Sequence, residues 1–184
     1  MSVKQWYNFF ITRETERNPD QAVCRVERLY TATNWEEIWS SYRMPCLSST
    51  TRSFLFKMLH ELLPTEQRLN RIGRNNEASC KYSCSGQPTA DLAHCLLSYN
   101  LVKDVGMWLL QIDTSKTVAD ILQFRLENEG KIWLAANVLE YCWNKRSEGK
   151  KAELVECIAK LKYDVSLLSS SKYLNIASQV GEVL

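Results

Sequence analysis

Apolar residues recur along this chain with a period near 3.6, and the recurrence predicts helix after helix. Asn18 and Pro19 supply a cap and a proline at the first helical position, after which Ala22, Val23, Val26, Leu29 and Tyr30 share one face. Asn34 caps a second segment in which Trp35, Ile38, Trp39 and Tyr42 fall on one side until Pro45 stops it. Phe54, Leu55, Met58, Leu59 and Leu62 continue the pattern up to Pro64. Thr65 then caps a basic helix, EQRLNRIGR, whose inward residues are expected to be Leu69 and Ile72.

A polar loop through Gly86 and Pro88 leads to a helix that Thr89 is placed to cap, with Leu92, Cys95, Leu96 and Tyr99 on its apolar side. Four more helices are expected over 101–112, 117–127, 131–146 and about 151–168. In the third, Ile132, Trp133, Ala136, Leu139 and Trp143 line one face, and in the fourth Leu154, Ile158, Leu161, Val165 and Leu168 do so. The turn RSEGKK makes these two an antiparallel pair. No stretch of useful length alternates with period two. The predicted fold is therefore an all-α, compact multi-helix bundle with a Cys/His loop-helix element and at most a short β-hairpin near the cysteines. Its expected parts are an N-terminal helical segment at 1–34, a helical region at 35–112 that contains the Cys/His element, and a C-terminal helical hairpin at 113–184 packing on it.

Composition agrees with a folded core, since 45% of the 184 residues are hydrophobic. The formal net charge of +2 gives no global basic field, so any nucleic-acid contact has to be a local patch. The sequence offers one in Arg68, Arg71, Arg74 and Lys81, because Arg68 and Arg71 lie three apart on one helix face and Arg74 extends the stripe. The competing reading is a solvated helix end, where cations favour the carboxyl terminus. A second cluster, Lys145, Arg146, Lys150 and Lys151, is interrupted by Glu148 and reads as a solvated turn. The N-terminus, MSVKQWYNFFITRETERN, is too soon interrupted by charge to be a secretory core, and no apolar run approaches the ~20 residues of a membrane span. An intracellular protein, cytoplasmic or nuclear, with no membrane partner is expected. Trp6, Tyr7, Phe9 and Phe10 cannot all face inward from one short helix, so this segment is expected to meet a protein partner or a second copy.

Chemistry concentrates in SCKYSCSGQPTADLAHCLLSYN. Of seven cysteines, an odd number, Cys24, Cys142 and Cys157 lie in apolar helical patterns and read as small hydrophobes. Without a signal peptide the clustered ones pose a metal question rather than a disulfide one. Zinc takes four thiolate or imidazole ligands in a tetrahedron. Cys80 and Cys84 form the turn pair, His94 on the following helix is the third donor, and Cys95 is the remaining candidate, though it points about 100° away from His94 on an ideal helix. In the alternative reading Cys80 and Cys84 are surface thiols, Cys95 and Tyr99 pack inward, and His94 bonds locally. No catalytic constellation accompanies either reading: the glycines are scattered, no two aspartates are adjacent, and His60 beside Glu61 reads as a packing residue. The protein is not expected to be an enzyme.

The spaced tryptophans of WEEIW, the run RSFLFKMLHELLPTEQRLNRIG, and C-x3-C-x6-D-x2-H formed by Cys80, Cys84, Asp91 and His94 carry a family resemblance. Residues from Trp35 to about Leu110 resemble the C-terminal zinc-binding-like region of non-LTR (LINE-type) retrotransposon reverse transcriptases. Leu63, Pro64, Thr65 and Leu69 match the leucine-proline-threonine turn of that region, and Tyr99 stands where its closing cysteine is found. The resemblance implies a non-catalytic tail that binds zinc and holds template RNA or target DNA through the basic helix. The alternative is a repurposed helical protein-protein interaction module that binds neither nucleic acid nor metal.

Overall fold

A computed structural model describes residues 43–60, 62–80, 84, 86, 88–122, 126–169 and 173–184. All of them belong to the second of two units into which the chain divides, Glu36–Leu184. The expectations for Trp6, Tyr7, Phe9, Phe10 and Lys81, and for the first two helices, lie outside the described residues.

The described residues are helical apart from their connections and one isolated antiparallel bridge, Ser79 to Thr89. Helix α1 is Ser49–Leu59, capped by the Ser48 hydroxyl, which accepts from the Thr51 amide at 3.0 Å. It buries Thr51, Phe54, Leu55, Met58 and Leu59, the face its periodicity marked. Leu62 falls beyond its end and is exposed. Helix α2, Glu66–Arg71, begins at the expected cap, with Thr65 Oγ1 accepting from the Arg68 amide at 3.1 Å. It ends on Gly73 at φ +69°, where Gly73 N–H reaches Asn70 O and Arg74 N–H reaches Leu69 O, both within 2.9 Å. Its inward residue is Glu66. Ile72 is 56% exposed, which corrects the expectation that it faces the core.

The long helix α5, Glu129–Ser147, is the axis of the bundle, with α3 (Lys103–Ile112) and α4 (Val118–Leu122) preceding it. Every residue from Trp133 to Leu139 is buried, because α1, α3, α7 (Leu174–Gly181) and the turn after His94 all pack against it. A one-sided stripe was expected here, and Leu134, Ala135 and Val138 escaped it because a helix covered on all sides has no polar face to mark. Gly149, at φ +66°, closes α5 with Gly149 N–H to Arg146 O at 3.0 Å and Lys150 N–H to Lys145 O at 2.9 Å. Helix α6, Leu154–Ser169, follows, and α7 lies against both α5 and α6. Lys145, Lys150 and Lys151 each meet a carboxylate, Glu156, Glu148, and Asp104 with Glu153 respectively, as expected of a solvated turn.

Candidate metal centre and the basic face beside it

Two backbone rungs bring the cysteines to the start of the histidine helix: Cys80 N–H to Pro88 O at 2.9 Å, and Ala90 N–H to Ala78 O at 2.8 Å. The helix starts at Leu92, and its cap is Asp91, whose Oδ1 accepts from the His94 amide at 2.8 Å. Thr89 sits in the bridge instead, two residues before the cap. The acidic residue of the C-x3-C-x6-D-x2-H pattern thus sets the helix start and with it the position of His94. From His94 to Ser98 the helix widens into a π turn, sealed by Tyr99 N–H to His94 O at 2.7 Å. Such turns are short, local departures from the α register that often mark functional positions.

Donor atoms of Cys80, Cys84 and His94 lie within 4.8 Å of one another and can hold a metal ion. The two sulfurs are 3.5 Å apart. Two thiolates each ~2.3 Å from one zinc at the tetrahedral angle stand about 3.7 Å apart, so the spacing fits. All three residues are buried, at 6%, 7% and 8% exposure, which overturns the reading of Cys80 and Cys84 as surface thiols.

His94 supplies the second test of fit. Its Nδ1 is 3.1 Å from Ser98 Oγ, one turn on, whereas its Nε2 is buried with no hydrogen-bond partner. A buried ring nitrogen left without a partner is costly, and a metal ion is one remedy. The Ser98 contact would fix the tautomer with the proton on Nδ1 and leave Nε2 as the donor. Burial lowers the His94 pKa from its ordinary 6.5, against a smaller opposing pull from Asp91, so the ring is neutral at pH 7 and competent to ligate. Because the folded-state value lies below the unfolded one, the metal-free domain is expected to lose stability as pH falls below 6.5. Urea midpoints between pH 7.5 and 5.5 should fall for the parent and fall less for His94→Gln.

Cys95 is not one of the three. Its thiol points to Glu66 Oε2 at 3.9 Å, and burial pushes its pKa up to about 12, so it remains a donor. Glu66 Oε2 also accepts from Arg146 Nη2 at 2.6 Å, in an ion pair whose side chains are 10% and 8% exposed. The guanidinium lies over two rings, 4.9 Å from the centroid of Trp143 and 5.7 Å from that of Tyr99. Neither Glu66 nor Arg146 was marked for this role by the sequence. Glu66 looks like an ordinary first-turn acid and Arg146 like one cation of a turn cluster. Ser98, four residues after His94, did carry a signal in its spacing.

Of the basic stripe, Arg68 and Arg71 lie on α2, whereas Arg74 falls beyond its end, past Gly73, which corrects the expectation of one helix through EQRLNRIGR. Arg68 is half-buried and Arg71 and Arg74 are exposed. Leu63, Thr65, Gln67, Arg68, Arg71 and Leu92 line a shallow cleft between α2 and the start of the histidine helix. None of the described helices is long and apolar enough to cross a membrane. Compared with family models, curated proteins and solved structures, the chain matches none.

Proposed function

We propose that this chain is a non-catalytic, nucleic-acid-associated helical domain in which Cys80, Cys84 and His94 hold zinc and Arg68, Arg71 and Arg74, on and just after α2, hold phosphate. The observation that carries the reading is the convergence of two buried sulfurs on a buried imidazole whose Nε2 has no hydrogen-bond partner. The donor set, two sulfurs and one nitrogen, is zinc-like, and the ion would supply a cross-link between loop and helix. The resemblance of the stretch from Trp35 to about Leu110 to the zinc-binding-like tail of LINE-type reverse transcriptases supports the same reading, with template RNA or target DNA as the nucleic acid.

Protein purified without chelator is expected to carry about one zinc per chain, falling well below that in Cys80→Ser. Equal metal content in the two would retire the centre. For the basic face, three arginine-phosphate contacts on a single strand predict a log-log salt slope of about −2. Substituting Arg68, Arg71 and Arg74 by glutamine should flatten that slope toward zero in a fluorescence-anisotropy titration. No binding at low salt would remove the nucleic-acid role.

A second reading, an interaction module acting on other proteins, draws on α6. Val155, Tyr163 and Leu167 are spaced by multiples of four along it, at 81%, 65% and 55% exposure. Under this reading Val155→Glu with Tyr163→Glu, or Trp6→Ala with Phe10→Ala, changes the association state measured by light scattering. Unchanged association in both would leave the module without support.

A further inference from the structure

We propose that metal at the Cys80, Cys84 and His94 centre governs whether the α2 arginines are presented to nucleic-acid phosphate. The proposal rests on the reading above and joins its two halves. Helix α2 has six residues, far fewer than the ~12–15 below which an isolated helix is marginal in water. Its shape therefore depends on what it is seated against. Of the features that seat it among the described residues, most lead to the metal element.

The first is the Gln67 amide, which donates to Ala90 O at 3.3 Å. Ala90 belongs to the rungs that join 78–80 to 88–90, the same rungs that carry Cys80 to the histidine helix. The second is the cleft wall formed by Leu63 and by Leu92, the first residue of that helix. The third is the Cys95 thiol, next to His94, which donates to Glu66 Oε2 at 3.9 Å, and the fourth, Glu66 to Arg146, leads to α5 instead. A metal ion bonded to Cys80, Cys84 and His94 closes the intervening loop, and such clips restrict the states open to the loop they close. Without the ion, the rungs and the Leu92 wall lose their cross-link, while the tie to α5 remains. The expected consequence is local: α2 frays, the arginines lose their fixed spacing, and the α5 core stays intact.

Hydrogen exchange and anisotropy with labelled single-stranded RNA and DNA oligonucleotides test this on zinc-loaded and chelator-stripped full-length protein. On stripping, amides at 66–72 should exchange roughly tenfold faster while those at 133–139 keep their protection. Oligonucleotide affinity at low salt should drop by about tenfold, and the salt slope should move toward zero. Loaded and stripped proteins that bind alike overturn the proposal and leave the nucleic-acid reading standing. A loaded protein that binds no oligonucleotide removes both. Thr65→Ala covers the case in which stripping unfolds the domain, since it loosens the α2 cap and leaves the three metal-binding residues in place. That variant should keep about one zinc per chain and bind the oligonucleotide more weakly. Parent-like affinity in zinc-loaded Thr65→Ala overturns the proposal.

Discussion

Replacing Glu66 with alanine is expected to destabilise the domain by about 3–5 kcal/mol, the usual cost of leaving one member of a buried ion pair behind. Arg146 would keep its charge at 8% exposure, with its Nε already lacking an acceptor and its Nη2 losing the 2.6 Å bond. The flanking Tyr99 and Trp143 rings attract the cation, but a cation-π contact worth ~0.5–2 kcal/mol does not replace a carboxylate. Arg146→Ala should cost a similar amount by stranding the carboxylate. The double variant Glu66→Met, Arg146→Leu should recover most of the loss, because a well-packed apolar pair avoids the desolvation of both charges. Urea denaturation of the four proteins compares these costs directly. Single variants costing less than ~1 kcal/mol would mean that the pair behaves as a solvated surface bridge.

Gly106→Val should cost ~3 kcal/mol or more and weaken metal binding as well, which sets it apart from an ordinary core substitution. A Cβ at Gly106 would stand 2.2 Å from Leu97 O and 2.7 Å from Leu97 Cα. Those are backbone atoms of the π turn, so no side chain can rotate away. Helix α3 must move off, and the turn that presents His94 moves with it. Thermal unfolding and zinc titration on one preparation report the two effects. A destabilised variant with parent-like zinc affinity would show that the turn holds its shape independently of α3.

The same two sites explain where sequence reading succeeded and where it stopped. The cap at Thr65 and the apolar face of α1 are local features, set by residues three or four apart, and they were legible. So was the convergence of Cys80, Cys84 and His94, because few residue types ligate metal. Asp91 displacing Thr89 as the cap is a tertiary effect: the backbone of Thr89 is held in the bridge to Ser79. Burial of Glu66 depends on a partner 80 positions away, and no local pattern announces that separation. The π turn was equally silent, for its sequence HCLLS is compatible with an ordinary helix.

That turn bears on which length changes the domain can absorb. A π turn is an α-helix carrying one surplus residue, and here the surplus falls between His94 and Tyr99, whose backbone groups close it at 2.7 Å. Deleting one residue from 95–98 would turn that closure into the four-residue bond of an α-helix, with the Tyr99 amide still facing His94 O and the segment downstream close to its present orientation. Tyr99 would keep its place near Arg146, whereas one more residue there would swing it by about 100° relative to the imidazole. The turn can therefore give up a residue but not take one, and a deletion there should cost no more than the buried side chain it removes.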